Sequence, residues 1–239
     1  NFSFEPRLPD LRSSCHVLPR CFALSAFSPS KSSSPVVRRR LCLRLCVGEC
    51  YIRISILTMS QGYQIYDPSA TYFLTLQVVD WVDIFSREVY RREIINSLTY
   101  CRDSKGLVLY AYVVMTNHVH IIARAEKGNL PDVLRDFKKF TASQILRMIK
   151  AGPESRQDWM LKRFEFAARS HSRNSEFQFW THENHAMEIY SPQFMKQKMD
   201  YIHDNPVRAG WVAEPWEWLY SSAGNYCGKV SLIEIDFSN

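Results

Sequence analysis

The sequence predicts an α+β fold, a central antiparallel sheet with helices packed on it. Three observations predict it. Two apolar runs, "LVLYAYVVM" and "HVHIIARAE", are separated by only the polar pair "TN". Two stretches with helical apolar spacing flank that pair of runs. An earlier run, "ATYFLTLQVVD", is rich in β-branched and aromatic residues. A chain of 239 residues with 46% hydrophobic content can bury one substantial core.

Taken in order, the run from Ala70 reads as a first strand. Ser86 offers an N-cap for "REVYRREIINSLTYCR", where Val89, Ile94, Ile95 and Leu98 fall at helical spacing. "DSKG" at Asp103 to Gly106 signals a turn. The second strand is continuous enough to be central, and Thr116-Asn117 is too short for anything but a tight connection, so the third strand pairs antiparallel with the second. After Gly128, Val133, Leu134, Phe137, Ile145, Leu146 and Ile149 mark a second helix. Strand, helix, strand, strand, helix opens a ferredoxin-like or RRM-like sandwich, with helices expected on one face of the sheet. "AGPESRQDWMLKRFEFAARSHSRNSE" is polar, part helix and part loop, and "FQFWTHENHAMEIYSP" gives two short extended pieces around a turn. "SPQFMKQKMDYIHDNP" is a late helix with Ser191 as N-cap, Pro192 at its first position and Asn205-Pro206 as its stop. The aromatic tail "VRAGWVAEPWEWLYSSAGNYCG" reads as a packed C-terminal wrap.

Charge narrows the function. The formal net charge is +6, and residues 1–58 carry nine Lys/Arg against three Asp/Glu, so the rest of the chain is balanced. Global charge is therefore no argument for nucleic-acid binding by the body; only local clustering can be. The same leader is Ser- and Arg-rich, poor in acids and holds five of the seven cysteines. Its CxxxCxxxC run at Cys42, Cys46 and Cys50 lacks the paired knuckles of a zinc site. Residues 1–58 read as a disordered or non-native extension, and residues 59–239, from Met59, as the functional domain. No run of 18 apolar residues occurs, so no membrane partner is expected.

The candidate site lies in the third strand. In a strand, residues i and i+2 share a face, so His118 and His120 project together while Val119 turns to the core. Two imidazoles fixed on a rigid element can hold a divalent metal in their neutral forms. Alone, the pair reads more readily as two hydrogen-bonded strand residues with no ligand. "KMDYIHDNPVRAGWV" adds Tyr201 and Asn205 at i and i+4 on one helix face. Singly these read as a packed Tyr and a capping Asn; with the HxH strand they form a constellation. A metal on His118, His120 and the Asn205 side chain would lie about one helical turn, roughly 5 Å, from the Tyr201 hydroxyl.

"MTNHVHII", followed by "KMDYIHDNPVRAGWV" and "YSSAGNY", resembles the HUH single-tyrosine transposases, and within them the REP-associated tyrosine transposase branch. The resemblance runs from about Tyr63 to about Asp236 and covers none of the leader. It implies a central HUH strand, a nucleophile helix near the C-terminus, His118, His120 and Asn205 as metal ligands, and Tyr201 as nucleophile. It implies a metal-dependent DNA strand transferase and endonuclease that cuts and rejoins DNA beside hairpin repeats through a 5′-phosphotyrosine. Magnesium or manganese is the implied cofactor, and two imidazoles suit manganese. The implied partner is single-stranded or hairpin DNA, with the protein a homodimer or a monomer. The implied location is the bacterial cytoplasm, on the nucleoid when DNA-bound.

Candidate DNA contacts are Arg135, Lys138, Lys139, Arg147 and Lys150 on the second helix, Lys162, Arg163, Arg169 and Arg173 in the polar segment, and Lys198 and Arg208 around the tyrosine. A charged helix face is also simply a solvated one. Trp180, His182 and His185 could stack on or contact a base, and Trp180 also suits a core. Two rivals remain on sequence grounds. One is a phosphodiesterase that uses water in place of Tyr201. The other is a binding module without catalysis, its bases stacked on Tyr110 and Tyr112.

Overall fold

In a computed structural model, described over residues 64–169 and 176–237, the chain forms an antiparallel four-stranded sheet with helices on both of its faces. The leader, with its cysteines and the Met59 boundary, falls outside the described residues, as does Arg173. The strands are β1 (Tyr72–Gln77), β2 (Leu107–Val114), β3 (His118–Ala125) and β4 (Met187–Glu188). Their spatial order is β2-β3-β1-β4, the order of a ferredoxin-like sandwich; β3 is central as expected, whereas β2, expected to be central, is an edge strand whose apolar run is buried by the C-terminal tail. The link of Met115, Thr116 and Asn117 makes the β2–β3 turn, where Met115 N donates to His118 O.

The helices are α1 (Glu88–Lys105), α2 (Leu130–Ala151), α3 (Gln157–Arg169), α4 (Pro192–Arg208) and the short α5 (Ala223–Tyr226). Strand alternation divides the core in two. Leu74, Leu76, Val119, Ile121 and Ala123 meet α1, α2 and α3 on one face. Phe73, Ala111, Val113, Met115 and Ile122 meet Ile202 of α4 on the other. A bulge between Leu109 and Ala111 lets β2 serve both: Leu109 faces the first cluster, and Ala111 and Val113 the second. The expectation of helices on one face is thus corrected. The sheet presents a second, smaller apolar surface, and α4 covers it.

Local details differ from expectation for physical reasons. α1 starts at Glu88 with Arg87 as N-cap, since Ser86 closes the short 3-10 turn Ile84–Ser86 ahead of it; the Ser86 hydroxyl accepts from Arg156 Nη2 at 3.1 Å. Val89 is exposed, and the buried stripe is Tyr90, Ile94, Ile95, Leu98 and Cys101. α1 runs through most of "DSKG" and ends where Gly106 takes φ +70°. The polar segment becomes helical because Met160, Phe164 and Ala168 give it a narrow buried stripe. In α4, Ser191 caps the Phe194 amide and Pro192 follows, as expected. Asn205-Pro206 is not the stop. Pro206 is buried inside the helix, which continues to Arg208. The helix closes when Gly210 N reaches Val207 O and Trp211 N reaches Pro206 O, with Gly210 at φ +75°.

The tail covers the outer edge of β2 and so protects it from pairing with another chain. Val114 N donates to Tyr220 O and Ser222 N to Tyr112 O, both at 2.9 Å, and Asp236 N reaches Leu109 O at 2.9 Å. Among the described residues, no helix is long and apolar enough to cross a membrane.

Ile202 is the apolar side chain by which α4 enters the sheet face. Ile202→Ala is expected to lower stability by about 2–5 kcal/mol in urea titration and to speed amide exchange in α4 ahead of α1 and α2. A loss under about 1 kcal/mol would mean that α4 is held elsewhere.

Candidate functional site

β3 places its two imidazoles on the face that α4 covers. Cross-strand register sets each one: His120 lies between Thr75 of β1 and Val113 of β2, and His118 opposite Gln77. The rings sit 4.6 Å apart at 68°. Phe73 stacks on His120 at 5.3 Å and 26°. Tyr201 of α4 meets His120 edge-on at 5.3 Å and 68°, and meets Phe73 at 5.9 Å and 77°. Tyr201 stays 38% exposed, so its ring touches the imidazole while part of it faces solvent.

Hydrogen bonding decides which nitrogens are free. His118 Nδ1 lies 2.6 Å from Asn117 Oδ1, whose amide nitrogen donates to Trp81 O at 3.4 Å. An amide oxygen only accepts, so His118 carries its proton on Nδ1 and presents a lone pair at Nε2. His120 Nδ1 lies 2.9 Å from Thr75 Oγ1, and its Nε2 is buried with no hydrogen-bond partner among the described residues. When Nδ1–H donates to Thr75, Nε2 presents a lone pair as well.

Burial fixes the protonation state. It pushes the His118 imidazole down to about 4. It pushes His120 down to about 3, aided by the charges of His118 and Lys198. Both rings are neutral at physiological pH, the form that ligates a metal.

Asn205 is half-buried one turn beyond Tyr201, and its side chain forms no hydrogen bond among the described residues. No group of three or more His, Cys, Asp or Glu with metal-holding geometry occurs among the described residues. An ion on the imidazole pair therefore needs an amide, solvent or substrate oxygen to fill its shell. His182 and His185 join no such group either.

Two cations flank the tyrosine. Arg208 Cζ lies 5.3 Å and Lys198 Nζ 5.9 Å from its ring centroid, and Lys198 also lies 4.8 Å from Phe73. Of the residues singled out on sequence grounds, the structure thus gathers His118, His120, Tyr201, Lys198 and Arg208, with Asn205 on the same helix face.

The remaining basic candidates lie elsewhere. Arg135, Lys139, Arg147 and Lys150 are exposed on α2, across the sheet from the imidazoles. Arg135 pairs with Asp132 at 2.6 Å, Arg147 bonds Gln144, and Lys150 sits 4.3 Å from the Phe177 ring. Arg169 pairs with Glu165 at 2.5 Å on α3. Lys138 is turned inward: its Nζ donates to Thr181 O and Asn184 Oδ1, both at 2.7 Å, and burial pushes it down to about 8. That ammonium braces the loop whose Asn184 O receives the Thr75 amide, so it serves the fold. Trp180 is a core residue, its Nε1 donating to Thr141 Oγ1 at 3.0 Å. Of the two tyrosines offered to a binding module, Tyr112 is fully buried in the α1–α2 core, and Tyr110 is half-buried against the α4-side cluster with its hydroxyl accepting from Arg124 Nε at 2.9 Å.

Sequence reading misses Thr75, Asn117 and Phe73. The one signal available for Asn117 is an amide directly before HxH, where it can reach back to the first ring. Thr75 and Phe73 join the site through β1–β3 register, which leaves no local trace.

No family model and no curated protein matches the sequence. Several solved structures are similar to it, two of which follow. One is a REP-associated tyrosine transposase bound to a REP hairpin, 20% identical over 76% of this chain and 94% of that one, with a TM-score of 0.48. The other, described as a transposase of Deinococcus radiodurans R1, is 16% identical over 61% of this chain and 97% of that one, with a TM-score of 0.34.

The imidazole shifts carry a pH consequence. Free imidazoles titrate near 6.5, so between about pH 6.5 and pH 4 the unfolded chain binds more protons than the folded one. The stability these rings contribute is full above about 6.5 and is lost as pH falls through that window. In chelator, the melting temperature is expected to drop from pH 7.5 to pH 4.5. The drop should be smaller in the His118→Gln/His120→Gln variant; equal drops would contradict the burial account.

Proposed function

We propose that this chain is a metal-dependent single-strand DNA transesterase, a transposase of the HUH tyrosine type, that cleaves and rejoins DNA beside hairpin repeats through a 5′-phosphotyrosine. One observation carries the proposal. A part-exposed phenol lies edge-on to His120, whose buried Nε2 has no hydrogen-bond partner among the described residues and whose neighbour His118 also presents a lone pair.

In this reading His118 Nε2, His120 Nε2 and the Asn205 amide oxygen would hold a divalent ion. Two imidazoles in the donor set suit manganese better than magnesium, which prefers an all-oxygen shell. Such an ion would supply charge neutralisation at the reacting phosphate. Asn117 and Thr75 orient the two ligands through their far nitrogens, a role that outer-shell partners commonly play. Phe73 and Ile202 fix the tyrosine and its helix against the sheet.

Tyr201 Oη attacks the phosphorus of a single-stranded segment. The Oη–P bond forms, the bond from phosphorus to the preceding 3′ oxygen breaks, the phenol proton passes to solvent, and the released 3′ oxygen is protonated. The product is a 5′-phosphotyrosine and a free 3′-hydroxyl. A second 3′-hydroxyl reverses the step and joins strands with no nucleotide cofactor. Lys198 and Arg208 place fixed positive charge beside the ring and suit the flanking phosphates. The strand must be unpaired at the cut, because duplex DNA cannot bring a phosphate down between α4 and β3.

A pool of hairpin oligonucleotides with randomised single-stranded flanks tests the proposal. With manganese, the protein is expected to form a covalent adduct that survives denaturing electrophoresis. Tyr201→Phe should abolish the adduct, and so should chelation. Cleavage by Tyr201→Phe at the parent rate would instead assign the reaction to water. Asn117→Ala is expected to weaken manganese binding about 10- to 100-fold by titration calorimetry, with the fold intact; unchanged affinity would remove Asn117 from the site.

A further inference from the structure

The Tyr201 ring is one rung of a longer row on α4 and the residue that precedes its cap. Tyr190 and Phe194 stack at 4.7 Å with only 16° between their planes. Lys198 Nζ lies 5.2 Å from the Phe194 ring and 5.9 Å from the Tyr201 ring, and so bridges the two. Arg208 stands over Tyr201 from the other side at 5.3 Å. Within α4, Phe194, Lys198 and Tyr201 follow at steps of four and three and Arg208 lies seven residues further, so these keep to one face of the helix; Tyr190, ahead of the Ser191 cap, joins the row through its stack on Phe194.

An apolar contact between the residue before an N-cap and the first turn is a common way to fix a helix entry. That contact explains why Phe194 is partly covered. It does not explain Tyr190, which remains 76% exposed with its outer face open to solvent. A rigid aromatic face, continuous with a phosphate-seeking cation and then with the phenol, is the arrangement that single-stranded nucleic acid uses: bases stack and the backbone follows the charge.

We propose that Tyr190, braced by Phe194, is a nucleobase-stacking platform for unpaired DNA on the Lys198 side of the site, with Lys198 contacting the phosphate between that base and the position of Tyr201. The assignment rests on the proposed DNA-cleaving role of the site and names where the flanking strand lies. Stacking is indifferent to base identity, so the platform holds the strand without selecting its sequence.

The test is equilibrium binding by the full chain, in chelator and in a Tyr201→Phe background, so that it reads the platform whether or not covalent chemistry occurs. The probes are fluorescent dT15 and an all-abasic 15-mer with the same phosphates, followed by anisotropy at low salt. Tyr190→Ala is expected to weaken dT15 binding about 5- to 100-fold and to leave the abasic strand unchanged. Tyr190→Phe should restore dT15 binding, because it keeps the ring. Lys198→Gln should weaken both probes by a similar factor. If Tyr190→Ala leaves dT15 unchanged, or weakens both probes alike, the platform is wrong, while adduct formation at Tyr201 in the parent protein stands on its own.

Discussion

Everything around the site is organised by one buried nitrogen. His120 Nε2 is sealed from solvent and bonded to nothing among the described residues. A buried polar atom left unpaired costs about 1–3 kcal/mol, and native proteins keep few of them. Its surroundings fix the atom without relieving it. Thr75 engages the opposite nitrogen, Phe73 stacks on the ring, and β1 and β2 pin the strand on both sides. A lone pair held in place but unsatisfied is what a metal-ligating imidazole requires before the ion arrives.

The sheet divides labour between its faces. α1, α2 and α3 cover the larger apolar surface, where Leu74, Leu76, Leu109, Ile145 and Phe164 are fully buried. The α4 face is smaller and holds the paired imidazoles beside the Tyr201 phenol. Lys138 shows the two faces cooperating. It starts on α2, fastens the 181–184 loop, and through Asn184 steadies the strand that carries Thr75.

Much of this was legible in residue order alone. A strand has period two, so HxH had to put both rings on one face, and so short a link, three residues in the structure, had to make a hairpin. Tyr201 and Asn205 at i and i+4 had to share a helix face. What escaped was tertiary. Nothing local says which face of a sheet a late amphipathic helix will choose, and Ile202 and Met199 would suit either. The four-carbon stem of Lys138 can extend to solvent or fold inward, and only the loop opposite decides. Pro206 obeys the rule that proline starves a helix of one bond, yet its burial and the Gly210 closure carry the helix one turn further, which places Arg208 over Tyr201. Thr75 becomes the partner of His120 across 45 residues of chain, through register alone.

The most direct measurement is the anomalous difference map of a crystal soaked in manganese. The account predicts one strong peak within bonding distance of both His118 Nε2 and His120 Nε2, on the side of Tyr201. A map with no peak there, or with His120 Nε2 bonded to another protein group, would contradict it.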